Sequence, residues 1–131
     1  MKYSVEVRSF LAGRYFGKLA TLMKDGRPQL TPIWYVFDGG KLIVNTATDR
    51  VKYRNMKRDP RVCLLIDDGY RYVSIWAMAR VATERDPNRD IESLAIRYTG
   101  KRAGRKAARE RYWKQKRVSI EIIPERIVSG L

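Results

Sequence analysis

The amino-acid sequence predicts an α+β domain built on a small antiparallel β-barrel with inserted and appended helices. Three observations carry this expectation. About six stretches have strand composition, either alternating apolar with polar residues or running continuously apolar,. Short turn sequences separate several of them: Asp25-Gly26, Asp38-Gly39-Gly40 and Asp68-Gly69,. The remaining segments carry helix caps or helical spacing of apolar residues. Antiparallel strands in this number twist, and closure into a barrel hides their edges.

Residues 4–14 read as a short helix, with Ser4 at its cap and Val7, Phe10 and Leu11 on one face,. Residues 15–23 read as a strand, and the Asp25-Gly26 turn returns the chain into a second one, 29–37,. Pro32 interrupts that second strand. Proline donates no ladder hydrogen bond, so this strand belongs at an edge, at a bulge, or beside something other than a neighbouring strand, a ligand included. After the next turn, Leu42, Ile43 and Val44 form a short apolar strand, Asn45, Thr46 and Thr48 break it, and a basic helix capped by Thr48 ends against Pro60,. Residues 61–67 are nearly continuously apolar, which suits a strand buried on both faces,. Residues 70–83 give the longest strand, with Val73, Ile75, Ala77 and Ala79 alternating against Tyr72, Ser74, Trp76, Met78 and Arg80,. Asp86-Pro87 begins a helix that buries Ile91, Leu94, Ala95 and Tyr98 and stops near Gly100,. A second, very basic helix is expected over 104–115, and the alternating segment 117–128, which meets Pro124, closes the sheet,.

A chain of 131 residues is read as one domain, 1–131, with a real core and no internal linker,. The longest apolar runs, such as 62–66, are far shorter than the roughly 20 residues of a membrane span. The opening MKYSVEVRSF lacks a continuous apolar segment, so no cleaved signal peptide is expected and a cytoplasmic location is the default,. The single cysteine, Cys63, fits a reducing compartment and is read as core,.

Histidine is absent, which removes the imidazole general base, the Ser-His triad and nearly all zinc sites, so no metal centre is expected,. Acid–base work would fall to a tyrosine, a carboxylate, a lysine or a cofactor. The net charge of +14 implies attraction to polyanions: nucleic acid, an anionic membrane surface or a phosphorylated small molecule,.

Two constellations sharpen that choice. In the segment 46–55, Arg50 and Lys52 fall near a helix start, where the dipole and free amides already favour negative charge. Cations there disfavour the helix, so the segment reads either as a phosphate site or as a solvated basic face. Residues 101–117 carry nine Lys or Arg against one Glu, with Tyr112 and Trp113 near the end. That pattern suits single-stranded nucleic acid or a charged rim for a long anionic ligand, or else a solvated helix docked by its few apolar residues. The large rings Trp34, Tyr35 and Trp76 suit core, subunit interface or the border of a flat heterocycle. No GxGxxG, P-loop or metal-ligand spacing is present.

The stretch GKLATLMKDGRPQLTPIWYVFDGGKLIVNTATDRVKYRNMKRDPRVCLLID (17–67), followed by RYVSIWAMARV and PERIVSG, resembles the FMN-binding split β-barrel proteins, the pyridoxamine-phosphate-oxidase-like superfamily. It is most similar to the branch that uses the deazaflavin coenzyme F-420, in which a Thr, an Arg-x-Lys and an Arg-Asn-Met follow the third strand. The resemblance implies an antiparallel split β-barrel forming a homodimer, with cofactor sites at the subunit interface. Arg50 and Lys52 would hold the cofactor phosphate beside Thr46. Thr31, Pro32, Ile33 and Trp34 would line the flat ring, and Trp76 would approach from the long strand. Members bind FMN, F-420 or haem; the excess of cations favours F-420, whose phosphodiester and oligoglutamate tail are both anionic, with FMN as the alternative.

The function this implies is hydride transfer from reduced F-420 to a small conjugated organic substrate, the cofactor carrying the hydride and the protein supplying position and electrostatics. An FMN-dependent oxidoreductase or a cofactor or haem carrier are alternatives within the fold. A non-catalytic nucleic-acid-binding protein is the competing class, and it is the weaker one because no RNP-like, KH-like or helix-turn-helix signature accompanies the basic segment. Tyr35, Tyr53 and Tyr72 are the candidate proton donors on the substrate side.

Overall fold

The computed structural model describes residues 3–131. Seven strands form one antiparallel sheet: β1 (Gly17–Leu22), β2 (Pro28–Ile33), β3 (Val36–Asp38), β4 (Lys41–Ala47), β5 (Arg61–Asp67), β6 (Tyr72–Val81) and β7 (Arg117–Gly130). Their order across the sheet is β2-β1-β5-β6-β7-β4-β3. The two outermost strands, β2 and β3, are consecutive in the chain and separated only by Trp34 and Tyr35. The sheet therefore curls until its edges face each other, and Trp34-Tyr35 crosses the seam of a split barrel.

That seam explains the seventh strand. The sequence expectation of a single strand over 29–37 fails because its two halves pair in opposite directions across the barrel: Lys18 with Pro32 on one side, Val36 with Ile43 on the other. Pro32 is tolerated because β2 is an edge strand with β1 as its only neighbour,. The second proline of concern, Pro124, pairs with Ala77, whereas Trp76 pairs with Arg126. Glu125 is the extra residue of a bulge that absorbs the missing donor,.

Inside the curl, Leu19, Val44, Leu64, Ile66, Val73, Ile75, Ile120 and Ile122 form the core. One end is closed by α1 (Val5–Leu11), which inserts Val7, Phe10 and Leu11. Its cap is as expected: Ser4 Oγ accepts from the Val7 amide at 3.2 Å,. Strand β5 alternates buried Val62, Leu64 and Ile66 with half-buried Cys63 and Leu65, so Cys63 lies on the outer face rather than in the core. The strand covered on both faces is β4. Leu42 and Val44 face the barrel interior, and Ile43 on the other side is fully buried where α3 (Pro87–Thr99) crosses.

Three helices lie outside the barrel. Helix α2 (Val51–Arg58) follows β4; α3 and α4 (Lys101–Glu110) form a hairpin over β4 and β7. Asp86 caps α3 through the amides of Asn88 and Arg89, with Pro87 at the first helical position,. Helix α4 starts three residues earlier than 104 and ends sooner than 115, because a 3-10 turn, Tyr112–Lys114, follows it. Gly104 is not a starter but a contact: a Cβ there would lie 2.5 Å from the Ile96 amide nitrogen, so the two helix backbones touch. Among the described residues, no helix is long and apolar enough to cross a membrane.

Candidate functional site

The residues from 45 to 58 build one wall of a cleft. Strand β4 ends with Asn45 and Thr46 pointing to opposite sides, and the chain turns through Asp49 into α2. Thr48 does not cap this helix: its amide donates to the Lys116 carbonyl, and Arg50 occupies the cap position with no side-chain hydrogen bond to the helix. The first amides of α2 are consequently free of any side-chain acceptor. The far end of the helix is pinned to β1. Asn55, 2% exposed, donates to Thr21 Oγ1 at 3.0 Å, and Arg58 donates to the Leu22 carbonyl and to Asn55 Oδ1, both at 2.8 Å. Of the Arg-Asn-Met sequence, Asn55 and Met56 thus fix the axis of α2, Met56 in the core, while Arg54 reaches back to the Asp49 carbonyl.

Arg50, Lys52 and Thr46 meet Pro32, Ile33 and Trp34 from the barrel seam around a cleft of about 290 Å³. The seam itself is locked by Tyr98 of α3, whose ring stacks on Trp34 with centroids 5.3 Å apart and whose hydroxyl accepts from the Tyr35 amide. Six of the eight residues expected at a site from the sequence are therefore neighbours. Thr31 stands behind them on β2, its hydroxyl oxygen buried with no hydrogen-bond partner among the described residues. Trp76 lies elsewhere, half exposed on the outer face of the sheet beneath the Arg126 guanidinium.

The opposite wall was not anticipated. Ile91 and Leu94 of α3 supply apolar surface, and Arg111, Tyr112 and Arg117 supply charge and an aromatic face. Arg117 is positioned by Asn45, which accepts from its Nε at 2.9 Å while donating to the Pro87 carbonyl at the start of α3. Only the basic and aromatic composition of 101–117 hinted at this wall; the fold needed to bring it against β4 is not written in local pattern. Of the three tyrosines considered as proton donors, Tyr35 is fully buried and its hydroxyl lies 2.9 Å from both the Leu11 and Gly13 carbonyls, so it is structural. Tyr53 and Tyr72 do not line the cleft; Tyr112 does.

The electrostatics are one-sided. Lys52 is 9% exposed, and burial, then the nearby Arg50 and Arg117 charges, push its ammonium pKa down to about 8,. Burial also lowers Arg117, with Arg50 and Arg111 acting in the same direction and Tyr112 and the Asp49 carboxylate acting against them. Among the described residues none of these four cations forms an ion pair with a carboxylate, whereas Arg80 and Arg85 are each paired with two. Positive charge without a carboxylate partner, desolvated at Lys52 and lying beside a helix start, is an arrangement that could hold an anion,. No cluster of three or more acidic, thiol or imidazole groups suited to a metal exists among the described residues.

A curled antiparallel split barrel with a cationic cleft beside its seam is a fold of the oxidoreductase, cofactor-binding kind. The chain belongs to the pyridoxamine 5'-phosphate oxidase family, whose sequence model matches residues 4–129. Among solved structures it is similar to a conserved hypothetical protein from Mycobacterium tuberculosis, at 29% identity and a TM-score of 0.77 over 98% of this chain and 84% of that one. It is similar to an F-420 reductase at 28% identity and a TM-score of 0.70, over 92% of this chain and 94% of that one. The fold is shared with HutZ, the haem storage protein from Vibrio cholerae, at 19% identity and a TM-score of 0.69, over 100% and 97% of the two chains.

Proposed function

We infer that the protein is an oxidoreductase that binds the deazaflavin coenzyme F-420 in the seam cleft and reduces a small conjugated organic acceptor. The observation that carries this is Lys52: a nearly buried ammonium beside Arg50, at the open start of α2, with no counter-ion among the described residues. The phosphodiester of the coenzyme fits that need. Arg50 and Lys52 would hold it with charge-assisted hydrogen bonds, next to Thr46. The flat ring fits against Pro32, Ile33 and Trp34, with Ile91 and Leu94 excluding water from the other side,. When bound, the coenzyme supplies the hydride; the chain binds, orients and dries the site. The similarity to an F-420 reductase supports the same reading.

FMN is the second reading. Its phosphate monoester would meet Arg50 and Lys52 in the same way, but it offers the cation cluster fewer negative charges than F-420 with its oligoglutamate tail,. Fluorescence titration of the purified protein with each compound decides between them. Binding in the micromolar range or tighter to F-420 and not to FMN is expected, and binding to neither would sink the cofactor reading altogether.

A homodimer is part of the proposal. Leu30, Ala20, Cys63 and Trp76 are successive cross-strand neighbours on the outer face, and Met78 and Ile123 form a second apolar pair beside them. Such a continuous apolar row suits a second copy of the chain, with Trp76 then placed to reach the partner's cleft. Sedimentation equilibrium checks it, and a monomer at micromolar concentration overturns it.

A further inference from the structure

Of the cations that line the seam cleft, Arg50, Arg111 and Arg117 are guanidiniums and Lys52 alone is an amine. A guanidinium keeps its proton at any ordinary pH and is no nucleophile. Lys52 differs. It lies on the first turn of α2, 9% exposed, and the surface it retains belongs to the cleft. The charged groups around it share its sign: Arg50 precedes it on the same helix, Arg117 opens β7 and Arg111 follows α4. Arg117 is held by the neutral side-chain oxygens of Asn45 and Gln115, at 2.9 and 2.7 Å, so its charge is fixed in place without being neutralised. Asp49, the nearest carboxylate along the chain, is exposed and acts on Arg117, and no carboxylate pairs with Lys52 among the described residues.

Such an amine is available as a nucleophile under mild conditions. Burial, then the Arg50 and Arg117 charges, lower its pKa from the ordinary 10.5 to about 8,. At pH 8 about half of it is neutral, against about one part in three hundred for a lysine of ordinary pKa. The guanidiniums around it favour an electrophile that carries an anionic leaving group, because they gather the anion and stabilise the charge that develops as it departs,.

We propose that Lys52 is a modification site, acylated within the cleft by acyl phosphates, the mixed anhydrides of a carboxylic and a phosphoric acid. The neutral amine bonds to the acyl carbon, and the bond from that carbon to the phosphate oxygen breaks with its electron pair leaving on phosphate. The nitrogen then gives up a proton to the departing phosphate or to water. Arg50, Arg111 and Arg117 hold the phosphate before and after the transfer. The product is a neutral amide, so each modification removes one positive charge from the cleft. Nothing in the step depends on which cofactor the cleft takes.

The full chain is incubated with acetyl phosphate at pH 8, and the initial rate at each lysine is mapped by mass spectrometry. Lys52 is expected to react at least about tenfold faster than the exposed Lys24 and Lys57, its larger neutral fraction outweighing the weaker nucleophilicity of a less basic amine,. In the urea-unfolded chain the preference should vanish. Excess inorganic phosphate should slow Lys52 in the folded protein and leave Lys24 and Lys57 unchanged, since it competes for the guanidiniums alone. The uncharged reagent N-acetoxysuccinimide should show a smaller preference than acetyl phosphate. A Lys52 rate no greater than those of Lys24 and Lys57 overturns the proposal. So does a preference that survives unfolding, that excess phosphate leaves intact, or that the uncharged reagent reproduces in full.

Discussion

The hydroxyl of Tyr98 accepts a hydrogen bond from the Tyr35 amide at 3.2 Å and lies 3.1 Å from the Tyr35 carbonyl oxygen and 2.5 Å from that of Tyr15. Tyr35 sits between β2 and β3, outside either ladder, so a side chain from α3 does for the seam what a neighbouring strand would otherwise do. Tyr98→Phe keeps the ring that stacks on Trp34 but leaves a buried amide without its acceptor. A loss of about 1–3 kcal/mol is expected, read from urea denaturation. F-420 affinity should fall with it, because the freed seam carries Ile33 and Trp34.

Gly104 yields a prediction with the opposite sign to helix propensity. On an isolated helix, Gly→Ala gains roughly 1 kcal/mol. Here the added methyl would meet the Ile96 nitrogen at 2.5 Å and its Cα at 2.6 Å, backbone atoms that cannot rotate away. Gly104→Ala should destabilise the protein by about 1–3 kcal/mol by forcing α4 off α3. A midpoint in thermal melting above that of wild type would show that the α3–α4 contact is looser than these distances require.

Local signals were legible where local chemistry decides the outcome. Ser4 and Asp86 cap the helices expected of them, and the Asp-Gly turns fall between strands, because side chain, amide and turn geometry lie within a few residues. Pro32 limited its strand to an edge, a bulge or a ligand-facing position for the same reason, and the edge is what the fold uses. The break at Trp34-Tyr35 was not legible, since both residues have good strand propensity and only barrel closure separates their partners. Thr48 lost the cap to Arg50 because its amide is claimed by the carbonyl of Lys116, far along the chain but adjacent in space. The wall formed by Arg111, Tyr112 and Arg117 depends on Asn45, whose pairing with Arg117 spans the chain and leaves no periodic trace.

Lys52 imposes a cost that its removal should relieve. Its ammonium pKa falls from 10.5 to about 8, chiefly through burial. In the unfolded chain the group stays protonated up to its ordinary value, so between about 8 and 10.5 the unfolded state binds more protons and stability rises with pH,. Below about 8 the full cost of burying the charge is present, on the order of 3 kcal/mol. Lys52→Met should therefore be more stable than wild type at pH 7, by about 1–3 kcal/mol, and the difference should shrink by pH 10. Tyr3, raised to about 12 by burial and then by Glu121, titrates alike in both proteins and cancels from the comparison. Urea midpoints at the two pH values measure the effect, and a variant less stable than wild type at pH 7 would mean that the ammonium is already neutralised in the free protein.

The same titration should govern affinity with the reverse sign. An anion bound against Lys52 raises its pKa above the free value of about 8, so its contribution to binding is complete below that pH and is lost as the pH rises through the free and then the bound value,. For a phosphodiester ligand, which does not itself titrate in this range, the dissociation constant should stay flat below about 8 and then weaken by up to about tenfold per pH unit. A guanidinium stays charged over this range, so arginine side chains do not produce this curve. Lys52→Arg should bind with a flat profile up to about pH 10, and Lys52→Met should bind weakly at every pH. An inflection that persists in Lys52→Arg would assign the pH dependence to another group and detach Lys52 from the anion.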